Sequence, residues 1–451
     1  MTSSAPDAPR TRSPLQRLVL GLAIFGVGWL PVVVGALRTD TVPYWGGLLA
    51  LAALYVGLLN GRAELLLAVG ALSGSIVGVD TFARFALQDT LYYRPSERFI
   101  ERWAPMPKLA RFRPNVRFSG SSSGDIAAIS GRRNASHLHT ITFDTDRLGF
   151  RNEPSWIDAP VDVILVGDSF GAGTAVGQEE MLASLLRRDH GIAVYNTAIP
   201  FFGPWEELLT LKATYPELRT APGARVLWLL FTGNDLDDRF EPSLEVDWHS
   251  STLDHALVAY RSFRRRSPVR QLLDRLALRF GVVDLRDSAR VGRLPNGGEM
   301  LYLRSYDAKA LRSARGVRAH RNYAALTAVF DEMARFTRER DLGVWVVVVP
   351  CSREIYPPDG AVEDADPRPS GFAEVAGELA HERGFTFLDL EPALRTRAAR
   401  AGYAPGSLLY WEDDTHWSPA GHAAAAAALV DAGLGHTDQA PEAETRRVSH
   451  P

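Results

Sequence analysis

From Val161 onward the chain alternates short β-branched runs with amphipathic stretches, and no other feature constrains its fold as strongly. The runs Val161 to Val166, Ala193 to Asn196, Val226 to Phe231, Val344 to Val349 and Phe385 to Leu388 are short and almost wholly apolar. Strands buried on both faces of a parallel sheet have that character. Helical periodicity falls between and after them, over Glu180 to Arg188, Trp205 to Ala213, Asn322 to Asp341, Phe372 to Arg383 and Ala420 to Leu429. This order predicts an α/β domain over 161–436, a three-layer doubly wound parallel sheet that binds its ligands at the carboxyl ends of the strands. Residues 240–319 interrupt the alternation with Trp248, a basic run at Arg264, Arg265 and Arg266, and a turn at Pro295, Asn296, Gly297 and Gly298. An insertion of that length suits a lid or an acceptor-binding module, and its basic run a solvated helix face or an anion-docking site.

The first ninety residues follow a different rule. Leu18 to Leu37 is uncharged, with Arg10, Arg12 and Arg17 before it and Arg38 after it, and is long enough to span a bilayer. A second uncharged run, Tyr44 to Leu59, opens on Tyr44 and Trp45, which suit the headgroup level. A third, Leu65 to Val79, is weakened by Gly70, Gly74 and Gly78, although small residues at this spacing also favour tight helix packing in membranes. The expected organisation is a cytoplasmic tail (1–16), about three transmembrane helices (17–90), a connector (91–160) packed on the catalytic domain, and a disordered tail (437–451). Three crossings place the α/β domain outside a cell membrane; two place it inside.

A formal net charge of -3 argues against nucleic acid as a partner. The lone Cys351 offers neither a disulfide nor a cysteine zinc site and reads as a small buried hydrophobe. His137 and His139 lack a third ligand nearby and read as a solvated loop, and no metal or other cofactor is implied.

Three blocks lie just past predicted strand ends. Gly167, Asp168, Ser169, Phe170 and Gly171 place a serine hydroxyl on a strand-to-helix turn beside amide donors, with Asp168 as a turn stabiliser. Gly233, Asn234 and Asp235 offer an asparagine amide that can donate to an oxyanion. The third block holds Asp413, Asp414, Thr415, His416, Trp417 and Ser418, then His422 at the start of the last helix. A histidine beside a carboxylate is the orienting pair that a serine nucleophile requires. Asp413 and Asp414 both have the spacing to serve, and His422 reads as a helix-start contact.

In this order the blocks resemble the SGNH (GDSL) hydrolase superfamily, with a flavodoxin-like fold, over roughly Val161 to Leu434. The resemblance implies Ser169 as nucleophile, His416 as base and Asn234 as oxyanion donor. The remaining oxyanion block corresponds to Tyr195 to Phe201, with Phe201 where the family usually has glycine. Leu148 to Arg151, Pro350 to Arg353 and Asp414 to Trp417 are similar to elements of a membrane-tethered bacterial branch. The last of these is also similar to the alginate O-acetyltransferase-like proteins, which favours Asp414 over Asp413, although those proteins place the Asp-His pair ahead of the serine. The resemblance implies a serine esterase or O-acyltransferase, acting on acyl esters of envelope glycans or lipids, with a further membrane protein as a possible acyl supplier. The competing expectation is a non-catalytic glycan-binding or envelope-assembly module that has kept the fold.

Overall fold

The computed structural model describes residues 94, 96, 99–103, 106–129, 138–237, 289–357, 370–404 and 406–435. The three apolar runs before residue 80, the basic run at 264–266, Trp248, His137 and the tail beyond 436 lie outside the described residues. All described residues fall within one compact unit. Among them, no helix is long and apolar enough to cross a membrane.

The described residues begin with two antiparallel hairpins, β1 (Ile100–Trp103) with β2 (Met106–Phe112) and β3 (Arg117–Ser123) with β4 (Leu138–Asp144); the short helix α1 (Asp125–Ile129) lies between β3 and β4. Then come β5 (Val161–Val166), α2 (Leu182–His190), β6 (Val194–Asn196), α3 (Pro204–Thr214) and β7 (Thr220–Phe231). A third hairpin, β8 (Ala289–Arg293) with β9 (Glu299–Leu303), leads into α4 (Arg304–Ala310), α5 (Ala314–Arg318) and α6 (Tyr323–Arg338). The chain continues through β10 (Gly343–Val349), α7 (Ser352–Ile355), α8 (Gly371–Glu382), β11 (Thr386–Asp389), α9 (Glu391–Ala401) and α10 (Pro419–Asp431).

Strands β11, β10, β7, β5 and β6 form, in that order, a five-stranded parallel sheet. Alternate residues of each strand face opposite layers. Ile164, Trp228 and Val346 pack with Leu208 of α3, Phe330 of α6 and Val375 of α8. Leu165, Leu227 and Val347 pack with Leu182 of α2, Leu394 of α9 and Ala425 of α10. The sheet is therefore covered on both sides, which is why its strands read as unbroken apolar runs. The chain leaves β5 toward β6 at one edge and then crosses to β7 on the other side of β5. That reversal opens a crevice at the carboxyl ends of β5 and β7.

The connector differs from a patternless linker, because it contains both N-terminal hairpins. Successive residues of β3 are mostly exposed or half-buried, so little apolar alternation betrays the strand. It is stapled to the sheet: Asn152 and Asn196 exchange hydrogen bonds, and Tyr195 Oη donates to Asp146 Oδ2 at 2.5 Å. The described part of the insertion is likewise built into the body. Met300 and Tyr302 are fully buried, and Leu301 N donates to Glu412 O at 2.7 Å. The expected turn at 295–298 closes this hairpin, with Gly297 at φ +84°.

Candidate active site

Ser169 follows the last residue of β5 by one turn. Asp168 shapes that turn: its Oδ1 accepts from Phe170 N at 2.9 Å and its Oδ2 lies 3.3 Å from Ser169 Oγ. Burial pushes the Asp168 carboxyl up. Gly171 allows close approach, since a Cβ there would lie 2.7 Å from the Ala198 Cβ. Downstream of the serine the loop is tied by Arg151, a fully buried side chain. Its guanidinium donates to the carbonyls of Thr142, Ala172, Gly173 and Val176 and to Gln178 Oε1. Burial lowers the Arg151 guanidinium to about 9, and it remains a cation at neutral pH. This explains the Leu148 to Arg151 element: Gly149, at φ +82°, presses on Phe112 O, and Arg151 then reaches the loop that follows Ser169.

His416 meets this corner from the far end of the chain. Its Nε2 lies 2.6 Å from Ser169 Oγ, and its Nδ1 lies 2.7 Å from Asp414 Oδ1. Phe170 packs on the imidazole with ring centroids 5.0 Å apart, and Trp417 meets the edge of the same phenyl ring. Burial alone would raise the Asp414 carboxyl, but the Arg94 guanidinium and the contact with His416 hold it far below the usual carboxylate range. Of the two candidate aspartates, Asp414 is the one against the ring. Asp413 directs its carbonyl to Ala127 N at 3.2 Å and helps seat α1. Gly124 makes this fit possible, because a Cβ there would lie 2.2 Å from Asp413 O.

Two residues that no sequence motif marked complete the assembly. Arg94 Nη2 lies 2.6 Å from Asp414 Oδ1, 2.8 Å from His416 Nδ1 and 3.2 Å from Asp125 Oδ2. Asp125 accepts from Thr415 N at 2.8 Å and from Thr415 Oγ1 at 2.5 Å. Asp125, Asp414 and His416 present their ligand atoms within 4.8 Å of one another, a spacing that could hold a metal ion. The Arg94 guanidinium already stands among these atoms and supplies the positive charge such a cluster needs.

The other expected residues fall as follows. Asn234 is half-buried just beyond β7, the strand beside β5. Phe201 lies in the loop after β6, which is strapped to the Ser169 loop by Ile199 N donating to Gly167 O at 3.2 Å. It adopts a left-handed conformation that favours glycine, at φ +71°, and is 60% exposed. His422 Nδ1 accepts from Leu182 N at 3.2 Å and so caps α2; burial lowers it to about 3 and keeps it neutral. His139 is half-buried on β4 with its ring stacked on Trp411, centroids 4.3 Å apart, which replaces the solvated-loop reading. Cys351 is buried at the start of α7, where its backbone N donates to Glu354 Oε2 at 2.6 Å.

Residues 301–449 match the family model described as an SGNH hydrolase-like domain, acetyltransferase AlgX. The match takes in the His416 block and stops short of Ser169 and Asn234. Among solved structures the chain is similar to an acetylxylan esterase from Geobacillus stearothermophilus, solved as a catalytic mutant. The two are 17% identical over 62% of this chain and 99% of that one, with a TM-score of 0.28, too low a score to carry an argument. No curated protein matches the chain.

Proposed function

We propose that the chain is a serine acyl-transfer enzyme, an esterase or O-acyltransferase, in keeping with the match of residues 301–449 to a family model described as an SGNH hydrolase-like domain. One observation carries this reading. The imidazole of His416 bridges the Ser169 hydroxyl on one side and the Asp414 carboxylate on the other, at 2.6 Å and 2.7 Å. With its proton on Nδ1 and directed at Asp414, the ring offers a lone pair at Nε2. Ser169 Oγ attacks the ester carbonyl while its proton passes to Nε2, and Asp414 stabilises the imidazolium that forms. The oxyanion lies where amides of the nucleophile turn, the Asn234 side chain and the backbone of the Phe201 loop can donate. Collapse expels the alcohol, which takes the proton from Nε2 and leaves acyl-Ser169. The acceptor then attacks this ester with His416 again as base. Water as acceptor gives hydrolysis, and a sugar hydroxyl gives transfer.

The acyl group in this reading is acetyl, in keeping with the matched family's description as an acetyltransferase. The uncharged runs at 18–37, 44–59 and 65–79 support a cell-membrane anchor with the catalytic unit on the extracytoplasmic side, next to envelope glycans or lipids. A further membrane protein supplying acyl groups fits the transferase form. The test uses the full-length chain with an aryl acetate. Ser169→Ala and His416→Ala should each lower kcat by roughly 10³-fold or more. Turnover equal to these variants in the parent chain would instead favour a non-catalytic glycan-binding or assembly module. Mass measurement of products formed with glycan acceptors separates transfer from hydrolysis, and a compartment-sensitive reporter at the C-terminus tests the topology.

A further inference from the structure

We propose that Arg94 and Asp125 are a matched pair of positioning residues that set the protonation behaviour of His416, each added charge opposing the other on the Nδ1 side of the ring. This rests on the reading of His416 as base. Both residues lie ahead of Ser169 and outside the segment that matches the family model.

Arg94 by itself works against a general base. Its Nη2 approaches Nδ1 to 2.8 Å and carries only protons to offer. An N–H donated to Nδ1 would move the ring proton to Nε2, the nitrogen that has to receive the proton of Ser169. Its positive charge also opposes the imidazolium.

Asp125 counters both effects through Thr415. The Thr415 hydroxyl has one proton, and Asp125 Oδ2 takes it at 2.5 Å. The threonine oxygen, 2.9 Å from Nδ1, can then act toward the ring only as an acceptor. That selects the tautomer with hydrogen on Nδ1. The Asp125 carboxylate also stands 3.7 Å from Nδ1 and 3.2 Å from Arg94. On the Nδ1 side, among the described residues, the Asp125 carboxylate thus offsets the Arg94 guanidinium and leaves Asp414 as the partner of the ring, while Arg94 holds Asp414 in place. Thr415 N, Thr415 Oγ1 and Arg94 Nη2 all point at the Asp125 oxygens, which suits the ionised form, although burial and the nearby Asp414 push its carboxyl up. Asp168 from the nucleophile turn and His422 from α10 are close enough to interact electrostatically with His416, and His139 from β4 with Asp414. These stay constant across the variants below.

The experiment is histidine-selective NMR titration of the full-length chain in a Ser169→Ala background, with the His416 signal assigned by its loss in His416→Gln. The signal is read on the ring itself, so the result stands even if the aryl acetate assay shows no Ser169-dependent turnover. Asp125→Asn should lower the His416 midpoint by roughly one pH unit, and Arg94→Gln should raise it by a similar amount. The double variant should return it close to the parent value. Movement of both single variants in one direction, or no movement in Asp125→Asn, overturns the proposal. Arg94→Lys and Asp125→Glu keep the charges and serve if a neutral variant fails to fold. They should leave the midpoint near that of the parent, and a shift as large as that predicted for the neutral variants overturns the proposal equally.

Discussion

The two halves of the site are built by different means. Ser169, the Phe201 loop and Asn234 each follow a strand of one parallel sheet, so backbone ladders between β5, β6 and β7 set their spacing. Among the described residues, the strand pairing behind His416 is the isolated bridge between Tyr410 and Trp417. Its loop is held by side chains and hairpins from elsewhere: Arg94, Asp125, Leu301 N on Glu412 O, and Tyr356 Oη accepting from Leu409 N at 2.9 Å. A ladder tolerates the loss of one side chain, whereas a side-chain network buried away from water does not. The difference predicts where substitutions will be felt.

The largest effect belongs to the network. Asp414→Asn keeps the shape of the side chain and removes the charge, and an amide that donates to Nδ1 leaves the ring in the wrong tautomer. The expected loss in kcat is roughly 10³- to 10⁴-fold, with KM little changed. Asp413→Asn, one residue away, should cost far less activity because Asp413 engages α1 through its main chain. Equal losses in the two variants, measured on an aryl acetate, would show that the loop fails as a unit and that the contact with the ring is not what matters.

The sheet half has one weak point of the same kind. Glu354 is buried between the strand-end loops, accepting from Thr232 Oγ1 and Cys351 N, both at 2.6 Å. Burial raises it to about 7, against an ordinary value of 4.5. Between those values the folded protein holds a proton that the unfolded chain has released. The stabilisation is therefore complete below about pH 4.5 and is lost as pH rises through about 7, on the order of 3 kcal/mol in all. Glu354→Gln should remove this slope. The thermal midpoints of parent and variant, compared from pH 5 to pH 8, should change relative to each other, with the parent losing ground at the alkaline end. A constant difference would mean that Glu354 does not titrate in that window.

The same contrast governs what could be read from sequence. Strands buried on both faces declare themselves by composition, and five short runs sufficed to place Ser169 and Asn234 on adjacent strand ends. Helix α9 was missed because its buried apolar residues are only Leu394 and Ala398, with arginines and alanines between them. Among the N-terminal strands β3 is too exposed to show a period, and β4 alternates only over a short stretch, with Ile141 and Phe143 buried. Arg94 and Asp125 belong to no motif, and a charged residue in a mixed segment gives no sign that it will be buried beside a residue some three hundred positions away. The adjacent aspartates at 413 and 414 were indistinguishable by spacing, and resemblance alone favoured Asp414. What separates them is contact with the imidazole, which depends on how Gly124 lets α1 approach.

Phe201 provides the finest test of the comparison, because there the sheet half departs from the glycine that the resemblance leads one to expect, without losing its backbone. An aromatic residue at φ +71° carries strain of about 1 kcal/mol or more. With 60% of its surface exposed, the ring recovers little of that by burial. Phe201→Gly should relieve the strain, against about 0.5 to 1 kcal/mol lost to the greater freedom of glycine in the unfolded chain. The two nearly cancel, so the thermal midpoint should rise by no more than roughly 2 °C. If the ladder behind β6 defines this loop, kcat should also be nearly unchanged, because the Ile199 to Gly167 bond remains. A midpoint several degrees lower would mean that the ring anchors its surroundings, and the sheet half would then depend on side chains as the His416 half does.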